Sequence, residues 1–171
     1  MTPGPSVALR RARPEEAEAL AEISRRAFHS DHAFGGPVAG GPPGYDSPEW
    51  QRQAMRWGRY HAVLVAGRLA GGAIVARKGG GHFELSRLFL DPAWHRRGVG
   101  RGVMTLLGEA YPEATRWTLD TPVWNRRTRP FYESLGFTEI GRTRQPGGPE
   151  LVVYERRAPE PAGARADTEP I

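Results

Sequence analysis

Residues 88–102 read Leu88-Phe89-Leu90-Asp91-Pro92-Ala93-Trp94-His95-Arg96-Arg97-Gly98-Val99-Gly100-Arg101-Gly102. Apolar residues close a strand, Asp91-Pro92 makes a turn, and glycines 98, 100 and 102 open a helix marked by Val103, Leu106, Leu107 and Ala110 at helical spacing. The first-turn N–H groups of a helix have no intrahelical acceptor, and glycine removes side chains that would keep an anion away from them. Arg96, Arg97 and Arg101 add positive charge around the same turn. A diphosphate suits this segment. A helix start that packs closely on a neighbour would use the same glycines, so the pattern alone leaves both readings open.

What the turn lacks narrows the choice of diphosphate. A nucleotide-triphosphate loop would end in Gly-Lys-Ser or Gly-Lys-Thr, and a dinucleotide fold would space its glycines G-x-G-x-x-G, with an acidic residue about 20 positions on, inside parallel βαβ units. Here the spacing is G-x-G-x-G, and the preceding segments read as an antiparallel meander. YHAVLVA (60–66) and AGGAIVAR (70–77) flank a turn near Gly67-Arg68, and HFELSRLFL (82–90) follows the glycine-rich 78–81.

Working outward, Val7 to Arg11 reads as a strand. Pro14 opens a helix with Glu15, Glu16, Glu18 and Glu22 early and Arg25 and Arg26 late, an order that suits the helix dipole. Its inner face is Ala17, Leu20, Ile23 or Ser24, and Ala27 with Phe28. Residues 35–48 hold too much Gly and Pro for a regular element and lead into a helix from about Pro48 to Trp57. Downstream, RWTLDTPV (116–123) is a strand, and Thr128 to Leu135 is a short helix that Gly136 ends, with Phe137 folding back on it. TEIGRTR and ELVVYER close the chain as a hairpin. The fold class expected is α/β: a mixed, largely antiparallel central sheet flanked by helices, in a single domain over 7–157, with disordered ends at 1–6 and 158–171.

Composition sets outer limits. A chain of 171 residues with 39% hydrophobic residues builds one substantial core. No apolar run approaches the roughly 20 residues of a membrane span, and the N-terminus lacks a signal-peptide apolar region, so a soluble cytoplasmic protein with no membrane partner is expected. Without cysteine there is no disulfide, thiolate ligand or Cys nucleophile. The net charge of +5 raises the question of nucleic acid. Against it, only Lys78 among 24 basic residues is lysine, and the arginines are dispersed. No nucleic-acid partner is expected, and a duplex titration at two ionic strengths tests this. His29, Asp31 and His32 lack a fourth ligand, so no metal is expected.

With these residues in view, the chain resembles the GNAT superfamily of acyl-coenzyme A-dependent N-acyltransferases. The family's turn motif, Gln or Arg, two residues, Gly, one residue, Gly or Ala, aligns on His95, Gly98 and Gly100, with His95 departing from the usual first residue. Asn125, followed by Phe131-Tyr132-Glu133-Ser134-Leu135-Gly136-Phe137, resembles the family's Asn-x-x-Ala-x-x-Phe-Tyr-x-x-x-Gly-Phe signature. Thr128 stands where the family has alanine, and Pro130 is unusual there, so Thr128 is read as the N-cap of a shortened helix.

The resemblance implies an N-acetyltransferase in which an amine attacks the thioester of acetyl-CoA directly, through a tetrahedral intermediate. It implies main-chain amides of Arg96, Arg97, Gly98, Val99, Gly100, Arg101 and Gly102 on the diphosphate. Backbone groups of Leu88, Phe89 and Leu90 would take the pantetheine arm and supply the oxyanion donor, with Asn125 as a further coenzyme ligand, against the plainer reading of a turn or cap residue. Glu84 is the proposed base, directly or through water, against the plainer reading of an exposed Glu paired with an Arg such as Arg87. Tyr132 is the family-matched acid for the departing sulfur, against core packing beside Phe131. Asp31, Asp46 and Glu49 with Tyr45, Trp50, Trp57 and Trp124 are candidates for an acceptor pocket for a cationic amine. The acceptor is a small-molecule or peptide amine, and the family leaves a homodimer open. A non-catalytic acyl-CoA sensor is the alternative, disfavoured by the presence of both Glu84 and Tyr132.

Overall fold

The computed structural model describes residues 4–158. The elements run β1 (Val7–Arg11), α1 (Ala17–His29), α2 (Pro48–Trp57), β2 (Arg59–Val65), β3 (Arg68–Gly79), β4 (His82–Leu90), α3 (Val99–Ala110), β5 (Arg116–Pro122), α4 (Thr128–Ser134), β6 (Thr138–Arg144) and β7 (Glu150–Arg157). The ends read as disordered fall, for residues 1–3 and 159–171, outside the described residues. Among those described, no helix is long and apolar enough to cross a membrane.

Alternation along the strands sorts the apolar side chains onto two faces of one seven-stranded sheet. Tyr60, Ala62, Ile74 and Phe89 meet Leu20, Ile23 and Ala27 of α1 and Ala54 and Met55 of α2. Val63, Val65, Ala73, Val75, Phe83 and Leu85 meet Val99, Val103, Met104 and Leu107 of α3 on the other face. Helices thus cover both sides of the sheet's first half. In α3 the buried stripe includes Val99 and Met104, while Leu106 is half-buried and Ala110 exposed. Apolar residues lie on both flanks of the Val103–Leu107 line, so periodicity marks the stripe without fixing the roll of the helix.

The strand order is β1-β2-β3-β4-β5-β7-β6. All neighbours are antiparallel except β4 and β5, which run parallel and pair at three positions, His82 with Arg116, Phe83 with Trp117 and Glu84 with Thr118. Beyond Glu84 the two strands part. β4 stays bonded to β3 as far as Leu90, opposite Gly71, and β5 stays bonded to β7 as far as Pro122, opposite Leu151. Each strand is therefore held by its other neighbour while a wedge opens between them.

A bulge shapes β4 inside the wedge. Ile74 faces Arg87 but Val75 faces Leu85, so Ser86 is an extra residue. The insertion shifts the alternation by one. Leu85 and Leu88 consequently share the α3 face, and Glu84, Arg87 and Phe89 share the opposite one.

Candidate active site

The phosphate turn is built where β4 ends. Asp91 accepts the Ala93 N–H at 3.1 Å and pairs with Arg26 of α1 at 2.7 Å, which anchors the 3-10 turn Pro92–Trp94. Gly98 precedes α3 with φ 77°, a left-handed conformation that glycine adopts without steric cost. Arg96 holds φ 61°, which costs a non-glycine residue about 1–2 kcal/mol. Gly102 donates to the Gly98 carbonyl at 3.1 Å, so Gly102 is committed to the helix ladder, and the N–H groups of Val99, Gly100 and Arg101 are left without an intrahelical acceptor. At Gly100 a Cβ would stand 3.2 Å from Phe131 Cζ, so glycine brings the turn against α4. These features fit a diphosphate: free amides at a helix N-terminus, no side chain at 98 or 100, and arginines alongside.

His95 ties the turn to the strand. Its Nε2 lies 2.9 Å from the Leu90 carbonyl, and Nη1 of Arg127 lies 3.3 Å from its Nδ1. Burial, then the Arg127 charge, lowers the His95 pKa, so the neutral ring donates from Nε2 to Leu90. Arg127 in turn pairs with buried Asp31 and lies over the Phe34 ring at 5.4 Å, while Arg96 approaches the same ring at 5.9 Å. The Arg126 N–H donates to the Phe34 carbonyl at 3.0 Å. Asp31, read from sequence as a pocket or metal candidate, is therefore a buried counter-ion that joins the α1–α2 connection to the phosphate turn. Among the described residues no group of three or more His, Cys, Asp or Glu could hold a metal.

Asn125 is buried, and its Oδ1 accepts the N–H groups of Arg127 and Thr128 at 3.0 Å each. It caps α4 from the preceding turn. Thr128, read as the N-cap, is instead the first helical residue, and its hydroxyl meets that of Thr121 at 2.6 Å. At the other end, Phe137 donates to the Tyr132 carbonyl at 3.1 Å and Gly136 donates to that of Glu133 at 3.0 Å, the paired bonds of a Schellman cap. The Phe137 ring closes on Tyr132, 5.8 Å between centroids.

That cap fixes Tyr132. Its ring is buried, and its hydroxyl makes no hydrogen bond to a described residue. Burial pushes the phenol pKa up, with Arg127 opposing and Asp120 and Asp31 adding to the rise. Tyr132 stays protonated at neutral pH, ready to donate.

Glu84 stands at the last paired position before the wedge, half-exposed, with Lys78 Nζ 3.8 Å away and the Ser86 hydroxyl at 3.2 Å. The expected partner Arg87 goes elsewhere, to the Pro43 carbonyl at 2.5 Å and the face of Trp50 at 3.8 Å. Opposite Glu84 is Thr118, and two residues along β5 on the same face is Asp120. Asp120 reaches solvent at the mouth of the wedge, where desolvation by the surrounding protein, then repulsion from Glu84, raises its pKa against the pull of Arg87. Sequence reading missed this second carboxylate. An Asp near the end of a strand looks solvated until the parallel register sets it beside Glu84.

Comparison with known proteins agrees with the fold. Among curated proteins, none matches the chain in sequence. Among solved structures the fold is similar to PaiA N-acetyltransferase of Thermoplasma acidophilum in complex with coenzyme A, with TM-score 0.74, 17% identity, and 90% of this chain and 99% of that one covered. It is also similar to the ribosomal-protein-S18-alanine N-acetyltransferase of Escherichia coli, with TM-score 0.68, 20% identity and coverage of 91% and 97%. A spermidine N-acetyltransferase SpeG chimera from Vibrio cholerae gives TM-score 0.68, 14% identity and coverage of 88% and 95%. At these identities the likeness concerns the fold. The family model for the acetyltransferase (GNAT) family matches residues 17–137, most of the chain and both motifs, and the chain belongs to that family.

Proposed function

We propose that the chain is an N-acetyltransferase that moves the acetyl group of acetyl-CoA onto a primary amine, with the reacting carbon in the wedge between β4 and β5. One observation carries the reading: the wedge opens beside free amides of the α3 N-terminus, and two carboxylates and a tyrosine hydroxyl with no hydrogen bond to a described residue stand around it. The diphosphate fits the amides of Val99 to Arg101, and the pantetheine arm fits the edge of Leu88, Phe89 and Leu90 that faces away from β3 as an added strand, short of the Leu90 carbonyl that accepts from His95.

An alkylammonium has a pKa near 10, so the amine must shed a proton before attack. Glu84 takes it, directly or through water, with Asp120 adjoining. The nitrogen lone pair then adds to the thioester carbon, and a backbone N–H of the β4 edge stabilises the oxyanion. Collapse breaks the C–S bond, the Tyr132 hydroxyl supplies the proton that the departing sulfur takes, and the second proton, shed by the nitrogen now joined to the acetyl group, returns to the Tyr132 oxygen through water. The carboxylates also favour a cationic acceptor at the mouth.

The test is release of free thiol from acetyl-CoA across a panel of primary amines, beside a thermal shift with coenzyme A. Stabilisation with turnover supports the enzyme. Stabilisation without turnover on any amine refutes acetyl transfer and favours a sensor.

A further inference from the structure

Arg87 is a cation with an unfilled valence on the acceptor face. It shares that face with Glu84 because Ser86 is looped out between them. Its guanidinium lies on the Trp50 ring, Nη2 donates to the Pro43 carbonyl, and Nη1 is buried with no hydrogen-bond partner among the described residues. Among the described residues no carboxylate comes within ion-pair distance of it, although Asp120 is close enough for the two charges to influence each other. Desolvation consequently pushes the guanidinium pKa down to about 10.

An unpaired buried guanidinium donor is costly, and a neutral carbonyl is a poor substitute for a carboxylate. The stack on Trp50 covers one face of the planar group, so a ligand is received at its edge, where a carboxylate binds with two parallel N–H···O bonds. Opposite charges that share one face without touching leave room for a ligand between them. Among the described residues the sole anchor on the loop side is Pro43, in the Gly- and Pro-rich stretch 40–44, whose carbonyl occupies the guanidinium edge.

We propose that Arg87 binds a carboxylate of the acceptor, and that the acceptors are amino acids, held with the amine at Glu84 and Asp120 and the acid at Arg87. The inference rests on the proposed acetyl transfer and narrows its substrate class. Binding replaces the Pro43 carbonyl on the guanidinium, and Trp50 holds the group in plane. Arg87 then acts on specificity, while the carboxylates act on the proton.

The experiment measures kcat/KM with acetyl-CoA for glycine, β-alanine and γ-aminobutyrate, each against its primary amide, in the wild-type chain and in Arg87→Met and Arg87→Lys. The amides carry the amine at the same position without the negative charge, and every rate is referred to the free-amine fraction of its compound, because an amide carbonyl lowers the pKa of a nearby ammonium. For the preferred spacing, the wild-type acid-to-amide ratio is expected at about 10–100, a size typical of a charge-assisted bond. In Arg87→Met the ratio should fall to about 1 through a higher KM for the acid, with Arg87→Lys between the two. Because each variant is its own reference, the ratio is insensitive to general loss of folded enzyme, and the wild-type ratio decides even if Arg87→Met does not fold. Turnover of amides as efficient as that of acids overturns the inference and leaves acetyl transfer standing. An acid preference that survives Arg87→Met overturns it too. Turnover of no amine at all refutes the function and this inference with it.

Discussion

In the proposed reaction Glu84 and Asp120 share one task, Glu84 named already from its strand and Asp120 found only through the parallel register. Glu84→Gln is expected to lower kcat about 100-fold, within the usual range for general acid–base groups, with the KM for acetyl-CoA little changed. Asp120→Asn should lower kcat less, by about 10-fold, and shift the acidic limb of the kcat profile toward lower pH, because the raised carboxyl no longer titrates. A pH profile of both variants at saturating acetyl-CoA checks this, and unchanged turnover in Glu84→Gln would remove it from the mechanism. Tyr132→Phe should reduce kcat about 10- to 100-fold while the folded chain keeps its stability, since the lost hydroxyl bonds to no described residue. Tyr132 was legible because its spacing from Asn125 is a motif. Asp120 and Arg87 were not, because their significance comes from a register and a bulge, each set by long-range pairing.

Elements explain how the site is held. The turn before α3 requires glycine at 98, where φ is 77°, and close approach at 100. Gly98→Ala should weaken coenzyme A binding about 5- to 10-fold through backbone strain, and Gly100→Leu should weaken it more by pushing Phe131 aside; calorimetric titration reads both. The Asp31–Arg127 pair latches the α1–α2 connection to α4 and, through His95, to the turn. Removing one member of a buried pair leaves a stranded charge, so Asp31→Ala should cost about 3 kcal/mol in chemical unfolding. The strands, the helices and the Gly136–Phe137 cap could be read from periodicity and end signals, since these are local. The cap on α4 was misplaced to Thr128 because Asn125 reaches forward over a turn, and sequence gives no distance between a side chain and an amide. The 3-10 turn Ser30–Phe34 and its buried Asp31 carried no signal beyond three polar residues in a loop.

At the scale of the whole molecule, the sheet is one body with a wedge between β4 and β5, and its stability should depend on pH through partly buried histidines. His61 and His95 are pushed below the usual value near 6.5 by burial, helped by Arg59 and Arg127, and His82 shifts the same way through desolvation and then Arg116. A lowered folded-state pKa means the unfolded chain binds more protons in this range. Their contribution is therefore full above about pH 6.5 and is lost as pH falls through that value. The melting temperature should drop between pH 7.5 and 5.5, and His95→Asn should flatten the slope. Glu16 and Glu22, held below the usual carboxylate range by Arg10 and Arg25, act only at lower pH. A largely antiparallel sheet was legible from the meander and the closing hairpin. The insertion of β7 between β5 and β6, and the parting of β4 from β5, were not, because strand order across a sheet leaves no local trace. The parting carries the account, and a crystal structure of the chain with coenzyme A tests it most directly. The account predicts the diphosphate on the amides of Val99, Gly100 and Arg101 and the pantetheine along Leu88 to Leu90, its sulfur near Tyr132. A coenzyme bound elsewhere, with the wedge empty or closed, would contradict it.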